Sequence, residues 1–281
     1  MYQVMKKTVL LVATVVSMAA LLGCETVQTT QAGAVGVTRT QQMAVSREQV
    51  DQESALAYNK LRQEAGQKRV LNTDAAMLAR VQNIAKRLIP QVAIYRPDAV
   101  SWKWEVNVFQ SDEVNAFCMA GGKIAVYSGL IQKLQITDDE LAAVMGHEIA
   151  HALREHVREQ MSEQQGLGLL SVGAVIGGAL MGVNIDPKLA QNSLQVLVGL
   201  PHSRRAEVEA DNIGLELAAR AGYNPKAAIS LWQKMGNLGG SRPPAFLSTH
   251  PSPESRAADL ARVGQVVEPL YEAAVKAQPK R

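Results

Sequence analysis

Leu141-Ala142-Ala143-Val144-Met145-Gly146-His147-Glu148-Ile149-Ala150-His151-Ala152-Leu153 is the stretch around which the rest of the chain is read. It is built of good helix formers and contains H-E-x-x-H, so His147 and His151, four residues apart, project from one helix face and can share a metal ion. Glu148 then stands beside the metal rather than on it. From there a carboxylate can take a proton from a metal-bound water, whose pKa zinc lowers to roughly 7, and pass it to the leaving amine of a peptide. Small and apolar neighbours on both sides imply that the helix is buried. A buried helix has no cheap reason to carry two imidazoles and a carboxylate unless they are bound to something. These residues point to hydrolysis assisted by one Zn2+ per chain.

Two histidines leave zinc short of the three protein ligands that catalytic sites normally use. A site of the form H-E-x-x-H-x-x-G-x-x-H would need Gly at 154 and His at 157, where Arg154 and Val157 stand. His156, five residues past His151, falls off the ligand face of a continuous helix and is expected to be structural. A carboxylate from a downstream helix is the remaining common solution, and the segment Ser203 to Asp211 supplies one. Glu207 and Asp211 share a face there, so Glu207 is the expected third ligand, with Asp211 able to accept the outer ring N–H of a ligand histidine. Glu209 points elsewhere on that helix and is expected to be solvated or structural.

At 281 residues and 47% hydrophobic content the chain can bury a sizeable core. A net charge of +3 from 29 basic and 26 acidic residues forms no concentrated basic stripe, so nucleic acid is not an expected partner. Met1 to Gly23 has Lys6 and Lys7 followed by the apolar run Thr8 to Leu22, the two regions of a secretory signal. Leu21-Leu22-Gly23-Cys24 resembles a bacterial lipobox, in which the signal is cut before the cysteine and Cys24 is acylated. Residues 24–45, rich in Thr, Gln, Gly and Ala, then read as a lipidated flexible tether between the membrane and a domain spanning 46–268. The body of the protein is thereby expected outside the cytoplasm. Cys118 is expected to be a small buried apolar residue, with no disulfide framework.

Helices are expected over 49–67 and 72–90, the second with Met77, Leu78, Val81, Ile84, Ala85 and Leu88 at helical spacing. Alternation predicts strands at 103–109, 116–119 and 123–128, with a turn at Gly121-Gly122. Thr137-Asp138-Asp139-Glu140 is a capping box that opens the H-E-x-x-H helix, expected to run to about Gln160. The apolar, Gly-rich stretch Gly166 to Val183 is expected to pack beside the cleft or form a flap rather than span a membrane. Further helices are expected over 203–222, 225–236 and from Glu254 to about Val267, followed by a tail at 269–281. The fold class is mainly α with a small β-sheet (α+β), carrying a zincin-like H-E-x-x-H helix.

Four motifs carry a resemblance: His147 to His151, Glu207 to Asp211, Asn115-Ala116-Phe117 through Gly121-Gly122-Lys123, and His250-Pro251 with Arg256. Together they resemble the gluzincin metallopeptidases of the Oma/HtpX/CAAX-protease group, with the periplasmic lipoprotein branch nearest in kind. The resemblance covers about residues 46–268. It implies a zinc endopeptidase with Glu207 as third ligand and Asp211 behind the histidines. It also implies that the strand at Asn115, Ala116 and Phe117 lines the cleft and pairs with an extended substrate. The implied substrates are unfolded or misassembled envelope proteins, and Glu25 after the cysteine points to the outer membrane. Tetratricopeptide-like repeats after the peptidase region are not expected. His250 has two functional readings, an oxyanion donor or a latch on the open zinc position, beside a structural one at a helix start. Arg256 could set a fixed positive charge near the cleft or pair with a scaffold carboxylate. A rival class is a chaperone-like binding factor with a latent zinc site, against which the intact Glu148 argues.

Overall fold

The computed structural model describes residues 25–165, 201–238, 244–251 and 255–277. The signal-like segment, Cys24 and the stretch Gly166 to Val183 lie outside those residues. In chain order the elements are β1 (Glu25–Val27), β2 (Gln41–Met43), α1 (Arg47–Gln67), α2 (Ala75–Leu88), β3 (Glu105–Phe109), β4 (Ala116–Met119) and β5 (Lys123–Tyr127). They continue with α3 (Ser128–Leu134), α4 (Asp138–Leu153), α5 (Arg204–Arg220), α6 (Ala227–Gly236), α7 (Ala245–Thr249) and α8 (Arg256–Ala277). Helices dominate, as expected from the sequence, and the two small sheets are β1-β2 and β3-β5-β4.

The three-stranded sheet pairs β3 with β5 in parallel and β4 with β5 antiparallel. Its alternation is used on both faces. Ala116, Cys118, Ile124 and Val126 join the main core with α4, whereas Phe117, Met119 and Ala125 pack with Tyr58 of α1. Gly121 and Gly122, at φ 73° and 81°, make the left-handed turn between β4 and β5 that a side chain would resist. Upstream of α4, the capping box is present in full: Thr137 Oγ1 accepts from the Glu140 N–H, and the Glu140 carboxylate accepts from the Thr137 N–H at 2.8 Å.

Helices α4 and α5 cross with their backbones in contact at two glycines. A Cβ added to Gly146 would sit 2.6 Å from the Gly214 carbonyl oxygen, and one added to Gly214 would sit 2.6 Å from the His147 nitrogen. This crossing brings the Glu207 face of α5 against the histidines of α4. Gly214→Ala should therefore separate the helices and destabilise the fold by about 1–3 kcal/mol, with a lowered melting temperature. An unchanged melting temperature would contradict the close crossing.

Three expectations need correction. The H-E-x-x-H helix does not run to Gln160: it ends at Leu153, Glu155 takes a left-handed φ of 54°, and residues 156–165 are helical again. That conformation costs a non-glycine residue about 1–2 kcal/mol. It is held by ion pairs from the Glu155 carboxylate to Arg47, Arg96 and Arg158 at 2.7, 2.7 and 2.8 Å. The last helix continues ten residues past Val267, through Pro269, because Leu270 and Tyr271 still pack on the core.

Residues 25–45 are not a free tether. The Ala34 and Val35 N–H groups donate to the buried Glu216 carboxylate at 2.8 and 3.0 Å, and Gln31 N–H donates to the Tyr95 carbonyl at 2.9 Å. Gln41, 1% exposed, donates to the Arg154 carbonyl at 2.8 Å and to Glu159 at 2.7 Å. Polar composition reads as solvated in the sequence, but here the polar groups are met by partners far along the chain, as Ala34 is by Glu216, 182 positions on.

Candidate metal centre

Helix α4 presents His147, Glu148 and His151, α5 presents Glu207, Glu209 and Asp211, and His250 follows α7 while Arg256 opens α8. One donor atom from each of His147, His151, Glu207 and His250 lies within 4.8 Å of the others, and all four residues are buried. His147 Nε2 and His151 Nε2 are 3.1 Å apart. Each faces one Glu207 oxygen, at 3.5 and 3.4 Å respectively.

Hydrogen-bond partners fix which ring nitrogen of each histidine is free. His147 Nδ1 donates to Asp211 Oδ1 at 3.0 Å, leaving Nε2 as a lone pair. His250 Nδ1 lies 2.9 Å from the Thr249 hydroxyl and 3.2 Å from the Phe246 carbonyl oxygen, and its Nε2 has no hydrogen-bond partner. Both Glu207 oxygens are also buried without a hydrogen-bond partner. Orphaned acceptors at 0% exposure cost free energy unless a cation meets them, and imidazole nitrogens with a carboxylate are the donor set that suits zinc. The residues present fit the metal that the sequence implies.

Burial favours the neutral imidazole at four of the histidines, His250 included. Burial pushes His151 down to about 3, against the raising effect of Glu207, and pushes His202 to about 3 and His156 to about 4. Burial also acts to lower His147, but Asp211 and Glu207 outweigh it and hold this ring at about 9 in the metal-free protein. Glu148 is pushed up to about 8, chiefly by burial, while the nearby His147 pulls it down. Its Oε1 lies 3.4 Å from His250 Nε2 and has no hydrogen-bond partner.

Arg256 is 2% exposed, donates to Asp211 Oδ1 at 2.7 Å and approaches Glu207 Oε2 at 3.4 Å. Its guanidinium lies 3.3 Å over the Trp232 ring, which fixes it in place. Of its two readings, pairing with carboxylates is the one the geometry carries. The strand residues divide differently from expectation. Asn115 turns its amide to Glu113 at 3.0 Å, and the Phe117 ring packs edge-on against Tyr58. Cys118 of β4 joins the core with α4, and its backbone hydrogen-bonds Glu148. Among the described residues β4 is an edge strand of its sheet. The Cys118 thiol is buried and pushed well above its ordinary range, which makes it inert.

His202 escaped the sequence reading, and His156 was read as structural. His202 stacks on His151 at 4.2 Å between ring centroids, and His156 Nδ1 lies 2.9 Å from His151 Nδ1. The chain has five histidines, and all five meet in this cluster. Their scarcity was the available signal.

Residues 75–263 match Peptidase family M48. The chain belongs to that family. The mitochondrial metalloendopeptidase OMA1 of Arabidopsis thaliana is 38% identical to this M48 chain over 167 residues, covering 59% of the chain and 33% of the relative. OMA1 of Schizosaccharomyces pombe is 35% identical over 178 residues, covering 62% and 49%. The beta-barrel assembly-enhancing protease of Escherichia coli is 28% identical over 229 residues, covering 79% and 45%. The M48 chain thus spans less than half the length of these relatives.

Proposed function

We propose that this M48 chain is a zinc endopeptidase, tethered to a bacterial membrane through an acylated Cys24, that hydrolyses unfolded or misassembled envelope proteins. The observation that carries the reading is the buried four-donor cluster with Glu148 beside it. Zinc in that cluster would acidify a water and polarise the scissile carbonyl. His147, His151 and Glu207 would hold the ion, while Asp211 and Arg256 orient His147 and Glu207. Glu148 takes the proton of the attacking water and delivers it to the leaving amine. The edge of β4 pairs with the substrate backbone, which fits a chain that must be extended to bind. The relative named for β-barrel assembly supports the envelope part of the reading. A Cys24→Ala protein should leave the membrane fraction, and its retention there would argue against the lipid tether.

His250 acts as a latch in this account. An oxyanion donor would need a proton on Nε2, whereas with the proton on Nδ1, toward the Phe246 carbonyl, Nε2 is a fourth acceptor among the metal donors, and it is placed within their group. Four protein donors complete a tetrahedral site, and hydrolysis needs one position open. The ring is stacked on Phe246 at 4.3 Å, so displacing it means moving α7. His250→Ala should keep one zinc and raise cleavage of unfolded casein. A fall of about 10²–10³-fold would instead assign His250 to the oxyanion. A closed four-donor site is also what a chaperone-like binding factor would have, but such a factor leaves Glu148, with its Oε1 buried and unpartnered, without a use.

A further inference from the structure

We propose that Arg39, on the N-terminal segment, positions the metal-facing nitrogen of His151 through Glu209 and His156. The inference rests on His151 being a metal ligand. If its Nε2 faces the ion, its proton is on Nδ1 and is donated to His156 Nδ1 at 2.9 Å. His156 must then carry its own proton on Nε2, which faces Glu209 Oε2 at 3.2 Å. The run of donors and acceptors therefore has one direction, from ligand to carboxylate. His147 reaches its carboxylate, Asp211, directly, whereas His151 reaches Glu209 through a second imidazole. A carboxylate behind a ligand histidine fixes its tautomer and raises its basicity.

Glu209 is 6% exposed and is held well below the usual carboxylate range: burial opposes this, but His156, Arg39 and Arg154 outweigh it. Arg154 Nε donates to Glu209 Oε2 at 2.8 Å. Arg39 closes the far end, its Nε on Glu209 Oε1 and its Nη2 bridging Glu209 and Glu159 at 3.2 and 2.9 Å. The helix break at Glu155 makes the arrangement possible, since in an unbroken helix a residue five positions on lies about 140° around from His151. The same segment is locked over the relay by Arg154, whose Nη2 donates to the Arg39 carbonyl at 3.0 Å and whose own carbonyl accepts from Thr29 and Gln41. The stretch that leads from Cys24 into the domain is thus part of the metal site's support. Undocking it leaves Glu209 short of a cation and His151 less firmly held.

The test uses the full chain with Arg39→Gln, Arg39→Lys, Glu209→Gln and His156→Phe. It measures zinc affinity by chelator competition and the visible spectrum of the Co2+-substituted protein. Arg39→Gln, Glu209→Gln and His156→Phe should each weaken zinc binding about 10 to 100-fold and shift the cobalt bands, with Arg39→Lys recovering part of the loss. Arg39 is 22% exposed, so its variants still decide if the buried ones fail to fold. Folded Arg39→Gln with wild-type zinc affinity and an unchanged cobalt spectrum would overturn the relay alone. Wild-type protein that binds no zinc, or binds it equally well after His147→Ala, would overturn the metal reading beneath it.

Discussion

Glu148→Gln should keep one zinc per chain and lower peptide hydrolysis by at least about 10² to 10⁴-fold, the usual contribution of a general base. The amide is nearly the same size, so the 3% exposed site stays filled and the donors from His147, His151, Glu207 and His250 are untouched. What disappears is the group able to accept the water proton. Burial raises Glu148, and a divalent cation in the cluster would favour its charged, proton-accepting form. Bound zinc and peptide cleavage on the purified variant check this directly. Wild-type turnover by a zinc-replete variant would remove Glu148 from the chemistry.

Glu207→Ala should lose the metal outright. It removes the only carboxylate among the four donors, and it leaves the buried Arg256 with Asp211 as its sole acidic partner in the cluster. Asp211→Ala, which keeps every donor and removes only the group behind His147, should weaken zinc affinity by a smaller factor, about 10 to 100-fold. Chelator competition on the two variants separates a ligand from its support. Retention of zinc by Glu207→Ala alongside outright loss in Glu209→Ala would mean that a different face of α5 meets the ion.

The parts of this site that could be read from the sequence are those encoded by local period. The four-residue spacing in H-E-x-x-H and in Glu207 to Asp211 sets each pair on one helix face, and alternation marks β3 and β5. Thr137 and Glu140 announce the start of α4 because a capping box is complete within four residues. Its end was hidden, since no glycine or proline stands at 154 or 155 and the stop is made by arginines at 47, 96 and 158. The support behind His151 was hidden for the same reason. Arg39 and Glu209 are separated by 170 positions, and Ala34 and Glu216 by 182, distances at which periodicity carries no information. His156 lies outside the four-donor group, and its bond to His151 depends on the break that the pattern does not reveal.

The central claim, a zinc-dependent endopeptidase, is tested most directly by incubating unfolded casein with the purified wild-type chain and His250→Ala, each with and without a zinc chelator. The account predicts cleavage, faster for His250→Ala, that the chelator abolishes and added zinc restores. Both proteins holding one zinc each and neither cutting casein would contradict it, and would make the cluster a closed structural site.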